Sequence, residues 1–154
     1  MTEFEKFMLT CDLCQQTSNE ILFQDDFCRV VLLNDADYPA YCRVELIAHI
    51  KEMTDLAPNE RARMMKVVFA VETALREVIK PDKINLASLG NKTPHLHWHI
   101  IPRFADDKHF PNSHWSIVVN DTLAPNIHAL SERDKTMLIN HIKVNMNEAS
   151  LLHN

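Results

Sequence analysis

Glycine is almost missing. The 154-residue chain contains one, Gly90, where average usage would place about eleven. Phosphate loops built on several glycines need close backbone approach and positive φ, so P-loop enzymes, Rossmann dehydrogenases and kinases are excluded. Long apolar runs are missing too. No stretch approaches the roughly twenty apolar residues of a membrane span, and no membrane partner is expected. Basic residues are not in excess: 16 Lys and Arg stand against 21 Asp and Glu, a formal charge of −5. That is unlike the basic footprint of a nucleic-acid binder. Cysteines number four, and the opening MTEFEKFMLTCDLC carries acids without a long apolar core. The expectation is a soluble, cytoplasmic protein whose cysteines are thiols or metal ligands, not a disulfide frame.

What is present is ordinary for a globular chain: 46% hydrophobic and 24% charged residues, in a length that suits a single domain. No repeat or low-complexity run divides it, so residues 1–154 are read as one unit. Its core spans about 11–115, and a C-terminal helical extension covers about 131–149. Short runs rich in branched and aromatic residues at 21–23 and 27–33 flank Gln24-Asp25-Asp26 as a hairpin. Residues 34–39 (NDADYP) close the second strand, since Asn and Asp accept turn dihedrals, and 43–48 reads as a third strand. Residues 58–79 place Met64, Val67, Val68, Val71, Leu75, Val78 and Ile79 on one stripe, the spacing of an amphipathic helix that Pro81 ends. Strands at 83–89 and 95–104 follow around a turn at 90–94. Ser131 and Asp134 resemble the capped start of the last helix. This order predicts an α+β fold, a mostly antiparallel sheet with one main helix and a C-terminal helix.

The most informative stretch is His95-Leu96-His97-Trp98-His99-Ile100-Ile101. Nine histidines scattered at random would produce such an alternating triple on the order of a few hundredths of a time. On a strand, side chains alternate faces, so His95, His97 and His99 are expected on one face and Leu96, Trp98 and Ile100 on the other. Trp98 then belongs to the core. Three imidazoles in a row can hold a metal, or one can attack an electrophile while its neighbours orient it and supply protons. A plain polar face is the third reading.

HLHWHII resembles the signature of the histidine-triad (HIT) family, and the upstream order of elements fits as well. The likeness runs from about Cys11 to Trp115, and the chain looks most like bacterial members described as diadenosine polyphosphate hydrolases. The resemblance implies a nucleotide hydrolase or transferase acting at an α-phosphorus. His97 would be the nucleophile, with its second ring nitrogen held by a backbone carbonyl. His99 would contact phosphate oxygen and the leaving group, and His95 completes the catalytic set. By position, Asn85 would contact phosphate or ribose. Asn91 stands in the place of the family's Gln or Ser and would contact substrate, unless it merely takes a left-handed turn conformation. A homodimer is implied, and magnesium could escort a polyphosphate substrate.

Cys11-Asp12-Leu13-Cys14 is a C-x2-C knuckle, which suits zinc, a reduced thiol pair or a redox pair. The resemblance implies that Cys11, Cys14, His49 and His95 form a closed structural zinc site. Cys28 and Cys42 fall on apolar strands and are read as small buried hydrophobes. Loop residues His109 and His114 could reach phosphates, although loop histidines are more often solvated. Two other functions compete with the covalent one: a hydrolase whose three-histidine face binds a catalytic metal, and a nucleotide-binding module without turnover.

Overall fold

The structure is a computed structural model that describes residues 11–15, 19–121 and 128–151, with side chains through 147. The acidic opening segment lies outside the described residues. Five strands, β1 (Glu20–Gln24), β2 (Cys28–Leu32), β3 (Cys42–Leu46), β4 (Lys83–Ala87) and β5 (His97–Arg103), form one antiparallel sheet in the order β1-β2-β3-β5-β4. Among the described residues two α-helices, α1 (Pro58–Val78) and α2 (Glu132–Leu151), and a short 3-10 turn at Met53–Asp55 complete it. The predicted α+β class and antiparallel sheet are therefore what the chain adopts.

Local chemistry explains the elements. In the β1–β2 hairpin, Asp25 Oδ1 accepts from the Phe27 and Cys28 N–H groups at 2.9 and 2.8 Å, closing the turn without glycine. Pro58 begins α1, where a missing N–H costs nothing, and the Glu60 carboxylate accepts from the Ala57 N–H at 2.8 Å. Ser131 Oγ accepts from the Asp134 N–H at 3.1 Å and caps α2, as its sequence suggests. Asp35 Oδ1 accepts from the Asp37 and Tyr38 N–H groups, so the acidic turn before β3 forms by side-chain bonding. The left-handed residues among those described, however, are Gly90 (φ 84°), Ala40 (φ 63°) and Lys80 (φ 54°), neither Asn nor Asp. Lys80 ends α1 where glycine is usual, its N–H bonded to the Leu75 carbonyl.

The sheet has two unlike faces. One carries Cys28, Val30, Cys42, Val44, Leu46, Ile84 and Ile100 against Met64, Val67, Val68, Val71 and Leu75 of α1, all 5% exposed or less. Leu138 and Ile142 of α2 are fully buried in the same cluster. The C-terminal helix is thus part of the main core, packed on α1 and the edge of β1. Cys28 and Cys42 are 0% exposed and Trp98 packs against the cluster, as their alternation predicts. No helix among the described residues is long and apolar enough to cross a membrane.

Candidate active site and metal-ligand cluster

On the opposite face the strand registers set out polar rows. Arg29 lies opposite Glu45, which lies opposite His97; Val31 lies opposite Arg43, and Arg43 opposite His99. Asn85 pairs with Ile101 one row further along. Antiparallel partners have Cβ atoms about 5 Å apart, so these side chains meet directly.

His97 and His99 stand side by side, with ring centroids 4.8 Å apart and planes at 80°. His97 Nδ1 lies 2.5 Å from the backbone oxygen of His95. A carbonyl can only accept, so Nδ1 carries the proton and the lone pair sits on Nε2. The Ser88 hydroxyl in turn donates to the His97 carbonyl at 2.8 Å. His99 Nδ1 meets the Tyr41 hydroxyl at 2.6 Å. Both rings are buried, at 6% and 8% exposure, and burial lowers the imidazole pKa of each. For His99, with further contributions from His97, Arg43 and His114, the value falls to about 3. Both imidazoles are neutral near pH 7, the state in which one can act as a nucleophile.

His95 departs from the expected pattern. β5 begins at His97. The His95 N–H bonds back to the Thr93 carbonyl at 2.8 Å instead of joining the ladder, and its ring leaves the row of His97 and His99. Its Nε2 donates to the Leu46 carbonyl at 2.7 Å, which turns the Nδ1 lone pair toward Cys11 Sγ at 3.5 Å and Cys14 Sγ at 3.4 Å. His49 Nδ1 is 3.1 Å from Cys14 Sγ. The three triad imidazoles therefore do not converge on one ion, and the alternative of a catalytic metal on that face loses its third ligand.

Cys11, Cys14, His49 and His95 instead bring four donor atoms within 4.8 Å of one another. Zn–S and Zn–N bonds of 2.3 and 2.0–2.1 Å at tetrahedral angles put S and N about 3.5 Å apart, close to the observed separations. The Leu46 carbonyl behind His95 is the outer-shell partner that ligating histidines usually have. Burial, with the adjacent Cys11 thiol, pushes Cys14 up to about 11. Two thiols and two imidazoles in this arrangement fit zinc, and with all four positions supplied by protein the site leaves none for a reacting water.

Asn85 lies on the same sheet face, but its Oδ1 accepts from Arg103 Nη1 at 2.8 Å, so that oxygen is engaged by protein. Asn91 is exposed in the turn after Gly90. The left-handed conformation weighed for Asn91 belongs to Gly90, the single glycine of the chain.

Sequence reasoning missed a buried anchor below the triad. Arg103 Nε and Nη2 donate to Asp107 at 2.6 and 2.9 Å, and Nη2 also reaches the Asn112 carbonyl at 2.9 Å. Asp107 Oδ1 accepts further from the N–H groups of His109 and Phe110 and from the Tyr38 hydroxyl. Burial would raise the Asp107 pKa, but the Arg103 bonds and the backbone donors outweigh it and hold the carboxylate low. This anchor shapes the loop that leads to Trp115. His114 is wedged between Tyr38 and Trp115 at 4.3 and 5.3 Å, Trp115 lies 5.1 Å from His99, and His109 bonds the Tyr38 hydroxyl. The two loop histidines thus form an aromatic wall. Tyr41, Arg43 and Glu45 were also missed, although the Arg-Val-Glu alternation of β3 is a period-2 signal for a charged face.

Comparison with known proteins gives a consistent result. The model of the HIT domain matches residues 15–106. A histidine triad protein from Bradyrhizobium japonicum superposes with a TM-score of 0.66 at 25% identity, covering 86% of this chain and 97% of its own. One from Sinorhizobium meliloti gives 0.64 at 23%, covering 90% and 98%. A zinc-bound histidine triad family protein from Mycobacterium smegmatis gives 0.62 at 20%, covering 92% and 99%. No curated protein matches the chain.

Proposed function

The chain belongs to the HIT domain family, whose members support nucleotide binding with hydrolase or transferase chemistry, and from that premise we propose that it cleaves nucleotides at the α-phosphorus through a covalent intermediate on His97. The observation that carries the reading is the bond from His97 Nδ1–H to the His95 carbonyl, which leaves Nε2 as a nucleophile of fixed orientation. In the proposed reaction Nε2 forms a bond to phosphorus as the bond to the leaving group breaks. Water then attacks the phosphorus as the phosphorus–Nε2 bond breaks, gives its proton to solvent, and releases a nucleoside monophosphate with His97 regenerated. His99 lies beside the attacking ring and would hydrogen-bond a phosphoryl oxygen. His95 serves through its carbonyl and not through its ring.

The substrates that suit this chemistry are dinucleoside polyphosphates, as in the diadenosine polyphosphate hydrolase-like branch, or nucleoside phosphoramidates. Asn85 is proposed to face the ribose or phosphate through its amide nitrogen, and Asn91 to approach the substrate from its turn. Magnesium enters only as the counter-ion of a polyphosphate. Cys11, Cys14, His49 and His95 would hold zinc, which supplies structural cross-linking when bound. A homodimer is proposed with it, in keeping with the exposed apolar run of Trp115, Ile117, Val118 and Val119.

The test is direct. Protein is mixed with diadenosine tetraphosphate or adenosine phosphoramidate, quenched in acid-sparing denaturant and analysed by mass spectrometry. A mononucleotide adduct on the peptide carrying His97, absent in His97→Asn, is expected. Steady turnover by His97→Asn would overturn the proposal, and tight binding with no product would favour a module that binds without catalysis.

A further inference from the structure

We propose that Arg43 forms a phosphate subsite beside His97 and His99, binding the non-bridging oxygens of the substrate's α-phosphoryl group. The inference rests on the nucleotide reading above and adds a residue to it.

Placing charge inside a sheet costs free energy unless the charge is paired. On β3, Cys42, Val44 and Leu46 face the core at 0%, 0% and 2% exposure, while Arg43 and Glu45 occupy the other face in the middle of five strands. The Glu45 side chain is 0% exposed. A buried carboxylate must be paired, and one arginine is enough to neutralise it. Arg29 does so, with Nε 2.6 Å from Oε2, and Arg29 Nη2 also donates to the Leu13 carbonyl at 2.9 Å. It is a structural tie between β2 and the Cys11–Cys14 knuckle. Arg43 binds the other oxygen of the same carboxylate, with Nε at 2.7 Å and Nη2 at 2.5 Å from Oε1. Two guanidinium groups on one carboxylate leave one unit of positive charge at this point of the face.

That charge is placed and held. Arg43 is directly opposite His99, and Glu45 directly opposite His97. The contacts with Glu45 use Nε and Nη2, so Nη1 is the nitrogen proposed to meet the ligand. A cation whose far side is pinned by a carboxylate is preorganised and loses little freedom on binding. The site needs such a cation. Arg103 is paired with Asp107, and Arg29 is held between Glu45 and the Leu13 carbonyl. An anionic phosphoryl group arriving at His97 Nε2 would meet its fixed positive charge at Arg43.

The experiment uses pyrophosphate and adenosine monophosphate as probes, with affinities measured by calorimetry on the full chain. Arg43→Gln, which leaves the Arg29–Glu45 pair intact, should weaken both probes by about 10- to 100-fold, the usual worth of a hydrogen bond to a charged group. kcat/KM should fall in the same proportion while the thermal midpoint stays within a few degrees. Arg43→Lys keeps charge and should lose less, and it replaces the Gln variant if that one does not fold. Glu45→Gln retains the arginine and should also lose less than Arg43→Gln. Unchanged affinity for both probes in Arg43→Gln would overturn the subsite while leaving adduct formation on His97 untouched. So would equal losses in Arg43→Gln and Glu45→Gln, because a merely structural pair is damaged from either end. Arg43-dependent pyrophosphate binding in a protein that forms no nucleotide adduct would retain the subsite and overturn the nucleotide reading. Wild-type protein that binds neither probe would overturn the subsite.

Discussion

His95 and His97 stand two residues apart and live in different chemical worlds. His95 turns its lone pair into a closed pocket of two thiols and a second imidazole, with its N–H on Leu46. His97 turns its N–H onto the carbonyl of His95 and presents its lone pair from the strand face. The same side chain sits in a cluster of four donor atoms in one place and presents an open lone pair in the other, and what differs is which nitrogen finds a carbonyl. A backbone oxygen, fixed by the register of the sheet, chooses the tautomer. The two regions are joined, since the residue that lends its ring to the cluster lends its oxygen to the neighbouring histidine.

The sharpest way to break this contrast is to substitute one residue on each side. His97→Asn should cost at least about 10³-fold in turnover, because a covalent route cannot run without its nucleophile, with stability kept within about 2 kcal/mol. Cys11→Ser should do the reverse, losing bound zinc and several kcal/mol of stability, because metal binding and folding are coupled. Turnover assays, metal analysis and chemical denaturation on the pair decide the matter; equal damage to both properties by both variants would erase the distinction.

A second, somewhat smaller effect concerns the anchor under the loop. The Arg103 and Asp107 side chains are 3% and 5% exposed, and removing one partner of a buried pair leaves the other charge uncompensated. Asp107→Ala should therefore lower stability by about 3–5 kcal/mol in urea titrations. A loss below about 1 kcal/mol would mean that the pair is not an anchor.

The smallest effect is a pH slope. His99 has a folded pKa of about 3, below the ordinary 6.5, so the unfolded chain takes up its proton first. Its contribution to stability is intact above pH 6.5 and is lost as pH falls from there toward 3, by about 1.4 kcal/mol per pH unit. Denaturation midpoints measured at pH 7, 6 and 5 should fall less steeply in His99→Gln than in the wild type. Identical slopes would show that His99 is not held neutral by the fold.

Much of this protein is visible in its sequence for reasons that are local. The stripe of Met64, Val67, Val71 and Leu75 is a helix face whatever surrounds it, and those residues are fully buried on α1. The alternation through HLHWHII puts Trp98 and Ile100 against the core because strand side chains alternate. Cys11 and Cys14 meet His49 and His95, as the family likeness implies. The alternation fails at one point, His95, because a strand's periodicity holds only where the ladder does, and the ladder starts at His97. Arg103 and Asp107 escaped notice because their four-residue spacing has no meaning until the chain folds back over Tyr38. Asn85 carries the residue type that suits a phosphate contact, yet its oxygen is engaged by an arginine eighteen positions away.

The amino-acid sequence by itself determined the elements, the core stripe, the histidine motif and the exclusion of glycine-loop chemistry, since each depends on neighbours within a few residues. The tertiary structure alone decided which nitrogen of His95 and of His97 carries the proton, that Glu45 is shared by two arginines, and that Tyr41 and Trp115 close on His99. These are matters of register between distant strands, and a hydrogen bond or a buried charge acquires its meaning only when both partners are in place.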